Sequence, residues 1–209
     1  MNLLGHIRVA RTRANDPTMW LGAALPDLQR EAGVGIGDPS GWSSAVRDGI
    51  ACHHAADAVF HDLPIFRSQS VALTRALLDA DVPRGAARAV GHAGWELLLD
   101  GTLVDDDGLV EAYLAAMSVD VTANGEAWTS ALARRVERGA PTLYADPASV
   151  AELLWRVLAR RRLLAFDRCH IDAIGACLAE AQPAVAAAAP EVFAALENCG
   201  STTRWSPSE

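Results

Sequence analysis

The residues with the most chemistry lie in one stretch, from Gly49 to Pro64. It holds His53, His54 and His61, three of the six histidines of the chain, with Asp57 and Asp62 among them. Read as a helix, His53, Asp57 and His61 fall at i, i+4 and i+8 on one face, and His54 lies on the adjoining face. Imidazoles and a carboxylate pointing the same way are a donor set for a divalent metal. The neighbours Ile50, Ala51, Cys52, Ala55, Ala56, Val59 and Phe60 are apolar. The stretch therefore reads as buried, and buried imidazole and carboxylate groups need partners. A metal site or an acid/base site is favoured over a solvated polar face.

Other segments carry matching groups. His6 sits in the apolar opening Leu3–Ala10, read as a short buried helix. Asp27 follows Pro26 amid apolar residues, where a proline bends a helix; it reads as a cap or as a ligand. His92 and Glu96 are four apart in a helix expected over Arg84–Leu99, and Asp100 continues the row. Gly91 and Gly94 are costly inside that helix unless something approaches closely there. Taken in order, His6, Asp27, His53, His54, Asp57, His61, His92 and Glu96 come from about four helices, which a bundle can turn toward one point. Mixed imidazole and carboxylate ligands suit Mn²⁺, Fe²⁺ or Zn²⁺ better than Mg²⁺ or Ca²⁺. The run Asp105–Asp107 lacks the spacing of a calcium loop and reads as a cap. Arg156, Arg160, Arg161 and Arg162 are placed inside a helix over Pro147–Phe166. They read mainly as solvated cations, with one of them, Arg160, a candidate to hold a phosphate.

Composition sets the frame for these groups. The 209 residues are 51% hydrophobic, dominated by Ala and Leu. That composition predicts an all-α fold, a single helical bundle over residues 1–200 with a loose tail over 201–209. The net charge of −8 argues against nucleic acid and against an anionic membrane surface. Every basic residue is Arg, so lysine Schiff-base chemistry is excluded. Cys52, Cys169, Cys177 and Cys199 form no CxxC pair and read as reduced, mostly buried thiols of a cytoplasmic protein. No signal peptide and no run of membrane-spanning length is evident. No Walker or Rossmann glycine loop and no GxSxG elbow is present. Metal-assisted hydrolysis is then the chemistry these side chains supply best. Further helices are expected over about Thr18–Glu31, Pro64–Asp79, Gly108–Met117, Gly125–Arg138, Asp167–Ala181 and Pro183–Glu197.

Three places in the chain resemble the acyl carrier protein phosphodiesterases, a branch of the HD-like metal-dependent phosphohydrolases. Met1-Asn-Leu-Leu-Gly-His6-Ile-Arg-Val-Ala10 is similar to that family's MNFLAHLxLA opening. Leu25-Pro-Asp27-Leu is similar to its L-x-D-F element, and Gly49-Ile-(x)₂-His53-(x)₃-Asp57-(x)₄-Leu63-Pro64 to its G-I-x-x-H-(x)₃-D segment ending in L-P. Leu158-Ala-Arg160-Arg161 resembles a late Met/Leu-x-x-Arg element. The resemblance implies an HD-domain-like helical fold and cleavage of a phosphodiester, in the family the one joining phosphopantetheine to an acyl carrier protein, with Mn²⁺ the usual metal. It implies metal ligation by His6, Asp27, His53 and Asp57, with His92 added, and favours His53 over His54. Asp57, His61 and Glu96 become the catalytic candidates, and His54 and Arg160 the substrate-binding ones. The chain departs from the family at three points: His61 and His92 stand where it has Asp, and Glu96-Leu97 replaces its Asp-His. It therefore resembles a divergent member. Two alternatives follow from the added histidines: an HD-like di-iron oxygenase, or a non-catalytic helical protein that binds a metal.

Overall fold

The computed structural model describes residues 1–198; the expected tail over 201–209 and Cys199 lie outside the described residues. Every regular element among them is helical. Nine α-helices follow in order: α1 (Leu3–Arg11), α2 (Pro17–Ala32), α3 (Ser44–Asp62), α4 (Pro64–Asp79), α5 (Arg84–Gly101), α6 (Asp107–Met117), α7 (Glu126–Arg138), α8 (Pro147–Leu158) and α9 (Ile171–Asn198). Short 3₁₀ turns join some of them. No described helix is long and apolar enough to cross a membrane.

Local sequence explains most helix starts. Asp16 accepts from the Thr18 amide at 2.8 Å with Pro17 in the first turn, and Asp146 caps α8 in the same way. Asp106 caps α6, so the acidic run is a cap, as expected. Ser43 accepts from the Val46 amide at the head of α3. Gly33 closes α2 in the left-handed conformation at φ +72°.

The helices gather into two compact units, and the chain passes back and forth between them. One contains Asn2–Phe60, Asp106–Ala140 and the segment from Glu191; the other contains Met1, His61–Asp105 and Pro141–Pro190. In the first unit, α1, α2, α6 and α7 pack on one another. Here α2 and α3 cross on glycines. A Cβ on Gly49 would lie 2.7 Å from the Ala23 nitrogen and 2.8 Å from the Gly22 Cα, so only glycine permits this approach. Glu31, near the end of α2, is held by Arg135 at 2.6 Å and Arg138 at 2.7 Å from α7. In the second unit, α4 lies along α5, and α8 packs on α5. Gly91 admits α4, since a Cβ there would meet the Thr74 Cα at 3.2 Å. The close approach expected from that glycine is present.

Several boundaries differ from expectation. Of the arginine cluster only Arg156 is helical: α8 ends at Leu158, and Arg160–Arg162 lie in the turn beyond it. The buried stripe Val150, Ala151, Leu154, Leu158 stops there, so nothing anchors a further helical turn. The two helices expected on either side of Pro183 are one, α9. Its buried positions Ile174, Leu178, Val185, Ala189, Val192 and Leu196 continue the helical period past both prolines, which lie exposed. Pro26 likewise does not interrupt α2, so Asp27 is an interior helix residue rather than a cap. On α4, Val71 and Leu78 are 52% and 38% exposed. Cys169 is exposed, whereas Cys52 and Cys177 are buried thiols.

Candidate metal centre

The first unit brings together His6 from α1, Asp27 from α2, and His53 and Asp57 from α3. His6 and His53 are buried at 1% and 4% exposure, and their rings stack with centroids 3.7 Å apart. The two rings present their Nε2 atoms to carboxylates. His6 Nε2 lies 3.2 Å from Asp57 Oδ1 and 3.8 Å from Asp27 Oδ2, and His53 Nε2 lies 3.5 Å from Asp57 Oδ2. Ligand atoms of His6, Asp27 and His53 all fall within 4.8 Å of one another, and this group can hold a metal ion. A tetrahedral ion with bonds of 2.0–2.2 Å has ligand-to-ligand edges of about 3.3–3.6 Å. The His6–Asp27 separation of 3.8 Å is slightly longer than that edge, and Asp57 lies 3.2 and 3.5 Å from the two imidazoles.

The orientation of His53 is fixed by a backbone group. Its Nδ1 lies 2.9 Å from the Ala23 carbonyl. A carbonyl only accepts, so Nδ1 carries the proton and donates. In the neutral ring Nε2 then bears a lone pair, and it faces a carboxylate oxygen. Two acceptors face to face require a proton or a cation between them. A histidine whose far nitrogen is held by a backbone carbonyl is the usual arrangement of a metal-ligating imidazole.

The charge balance agrees with that reading. Burial pushes the His6 pKa down to about 4, opposed by its Asp57 partner and assisted by the adjacent His53, so His6 is neutral near pH 7. Burial also disfavours charge on His53, but Asp57 and Asp27 outweigh it and raise its pKa. Burial raises the Asp57 carboxyl, yet His53 and His6 hold it well below the usual carboxylate range. With His6 neutral and Asp57 ionised, a proton on His53 or a bound cation balances the carboxylate charge.

The second unit holds another group: His61 from the end of α3, with His92 and Glu96 from α5. Both imidazoles place Nε2 3.2 Å from Glu96 Oε1, and their rings stack at 5.1 Å. The Met1 ammonium reaches the same oxygen at 2.8 Å. Ligand atoms of these three residues also lie within 4.8 Å of one another. Glu96 is mostly buried, which raises its carboxyl, but the Met1 ammonium and then His61 and His92 hold it well below the usual range.

The expected residues are thus sorted into two groups. His6, Asp27, His53 and Asp57 converge, and His61, His92 and Glu96 converge separately. His54 is exposed and meets His53 only edge to face, with centroids 5.3 Å apart. Ala51, expected to be buried, is exposed beside it. Arg160 is exposed on the turn after α8. Two participants carried no side-chain signal in the sequence, the Ala23 carbonyl and the Met1 ammonium. No family model matches the chain, and no curated protein or solved structure is significantly similar to it.

Proposed function

We propose that the protein is a metal-dependent phosphodiesterase or phosphohydrolase, a divergent relative of the acyl carrier protein phosphodiesterases. The reading is carried by one observation: His6 and His53 turn their Nε2 atoms onto Asp27 and Asp57, with His53 held from behind by Ala23. His6, Asp27, His53 and Asp57 would hold a divalent ion, Mn²⁺ first and Fe²⁺ or Zn²⁺ next. Such an ion supplies Lewis-acid stabilisation of charge developing on a phosphoryl oxygen. The chain's own part is to fix the ligands. The Ala23 carbonyl sets the tautomer of His53, and the Asp57 carboxylate, kept ionised by both imidazoles, spans them with its two oxygens. The partly exposed faces of Asp27 and Asp57 give a substrate access to the group. The substrate class is a phosphate ester, with a phosphopantetheine ester on a carrier protein the specific candidate. A carrier protein is acidic, so docking on this acidic chain would use a local arginine surface.

The test is hydrolysis of bis-(p-nitrophenyl) phosphate with added Mn²⁺. Activity should vanish in EDTA and in Asp57→Ala and His53→Ala. Turnover that survives in both variants refutes the proposal. A second reading has its own observation. Two imidazoles and one carboxylate in the His61 group are the donor set of non-haem iron oxygenases. Substrate-linked oxygen consumption by iron-loaded protein would support it.

A further inference from the structure

The second unit has a cleft of ≈ 520 Å³ between α4 and α5, lined by Arg75, Arg84, Arg88 and His92 and walled on one side by Val71 and Leu78. We propose that this cleft binds an organic phosphate, its phosphate on Arg75, Arg84 and Arg88 and its apolar body against Val71 and Leu78.

Charge is the first argument. Arg84, Arg88 and His92 are spaced four apart on α5, so they form one row along the helix. Arg75 faces the same cleft from α4. Like charges at i, i+4 oppose each other when no anion lies between them. No carboxylate lines the cleft. Among the described residues none of the three arginines has an ion pair, whereas several arginines elsewhere do. Arg8 pairs with Glu197, Arg67 with Asp62, Arg135 and Arg138 with Glu31, and Arg156 and Arg168 with Glu152. Three exposed guanidiniums thus line one concavity with no carboxylate among its lining residues, in a chain of net charge −8.

Shape and polarity identify the ligand class. Guanidinium forks match the oxygens of a phosphate in paired hydrogen bonds. Three of them lining one cleft exceed what a single carboxylate accepts. The volume lies in the range of small-ligand clefts rather than of a flat protein interface. Val71 and Leu78 stay exposed although large and apolar, so the ligand has an apolar part beyond its phosphate. His92 is shared by the cleft and by the His61–Glu96 group, which puts the phosphate end beside those imidazoles. The inference uses only residues of this unit and does not rest on the metal ligation proposed for the other.

Isothermal titration of the full-length protein with phenyl phosphate and with inorganic phosphate tests it. Phenyl phosphate should bind, and should bind more tightly than inorganic phosphate. Each of Arg75→Gln, Arg84→Gln and Arg88→Gln should weaken it about tenfold, the loss of one charge-assisted contact. Arg88→Lys keeps the charge without the fork and should weaken it less. Val71→Ser should weaken phenyl phosphate but not inorganic phosphate. Arg156→Gln, on a cation already paired with Glu152, should change nothing. Binding should persist in EDTA, which separates this site from the metal-dependent hydrolysis. Absence of phenyl phosphate binding, or undiminished binding in the triple Arg→Gln variant, overturns the proposal.

Discussion

Replacing Gly49 with Ala should damage the candidate metal centre without touching a ligand. A Cβ at position 49 would stand 2.7 Å from the Ala23 nitrogen and 2.8 Å from the Gly22 Cα, where ordinary contact begins at 3.4 Å. The neighbours are backbone atoms, so no rotamer change relieves them. The Met19 carbonyl oxygen stands closer still, so the two helices must part by more than about 0.7 Å at the crossing. Overpacking of this kind costs about 1–3 kcal/mol, and rigid backbone neighbours place it at the upper end. The better helix propensity of Ala returns about 1 kcal/mol. The net loss of about 2 kcal/mol corresponds to a fall of roughly 4–8 °C in Tm for a chain of this size. The same displacement draws the Ala23 carbonyl away from His53 Nδ1, and loss of such an outer contact weakens metal binding about 10–100-fold. Gly175→Ala is the matched control. Its Cβ would sit 3.6 Å from the Ala148 Cα, an ordinary contact. Removing a helical glycine there should raise stability by about 0.5–1 kcal/mol. Thermal melts followed by circular dichroism and a Mn²⁺ titration read both effects. A Gly49→Ala protein that melts at or above the wild-type temperature with unchanged metal affinity refutes the reasoning.

Three further outcomes are expected. Elemental analysis of purified protein should find Mn, Fe or Zn near one equivalent or above, sharply reduced in His53→Ala; metal-free protein in both cases would count against the metal readings. In EDTA, stability should peak near pH 6.5. His6, lowered to about 4, makes the folded state bind fewer protons than the unfolded one, so its contribution is lost as pH falls from about 6.5 toward 4. His53, raised, contributes fully below about 6.5, and its contribution is lost as pH rises through its folded value. Chemical denaturation at several pH values checks this, and a monotonic rise from pH 5 to 8 would contradict it. Glu96→Gln removes the negative charge shared by Met1, His61 and His92, leaving only a neutral amide oxygen to accept, and should destabilise the protein by about 1–2 kcal/mol, read as a lower urea midpoint at constant slope.

The helix starts were legible because their causes are local. Asp16-Pro17, Leu63-Pro64 and Asp146-Pro147 each combine a restricted backbone with the head of an apolar period, and the helices begin there. The ends of α8 and the continuity of α9 were not legible. They depend on which apolar residues find a partner: Leu158 is the last buried residue of its stripe, and Val185 through Leu196 carry α9 past two prolines. The first candidate group is readable because His53 and Asp57 are one turn apart and His6 and Asp27 sit in apolar surroundings. The separation of His61 from them was not. Helical period places His53, Asp57 and His61 on one face, but it ignores the rise along the axis, which is about 12 Å over eight residues. No single ion spans that length. Arg160 was singled out by its sequence neighbours. Nothing in their spacing brings Arg75 to Arg84 and Arg88, because the shared cleft depends on how α4 lies along α5.

The alternation of the two units along the chain has a consequence for biosynthesis. The unit containing Asn2–Phe60 also needs Asp106–Ala140 and the segment from Glu191. Its first and last pieces are separated by roughly 130 residues, about 7–26 s of translation at 5–20 residues per second. Neither unit can close before α9 has left the ribosome. Yet His6, Asp27, His53 and Asp57 all emerge within the first 57 residues. The nascent chain thus displays all four candidate donors well before the remaining helices of their unit are made.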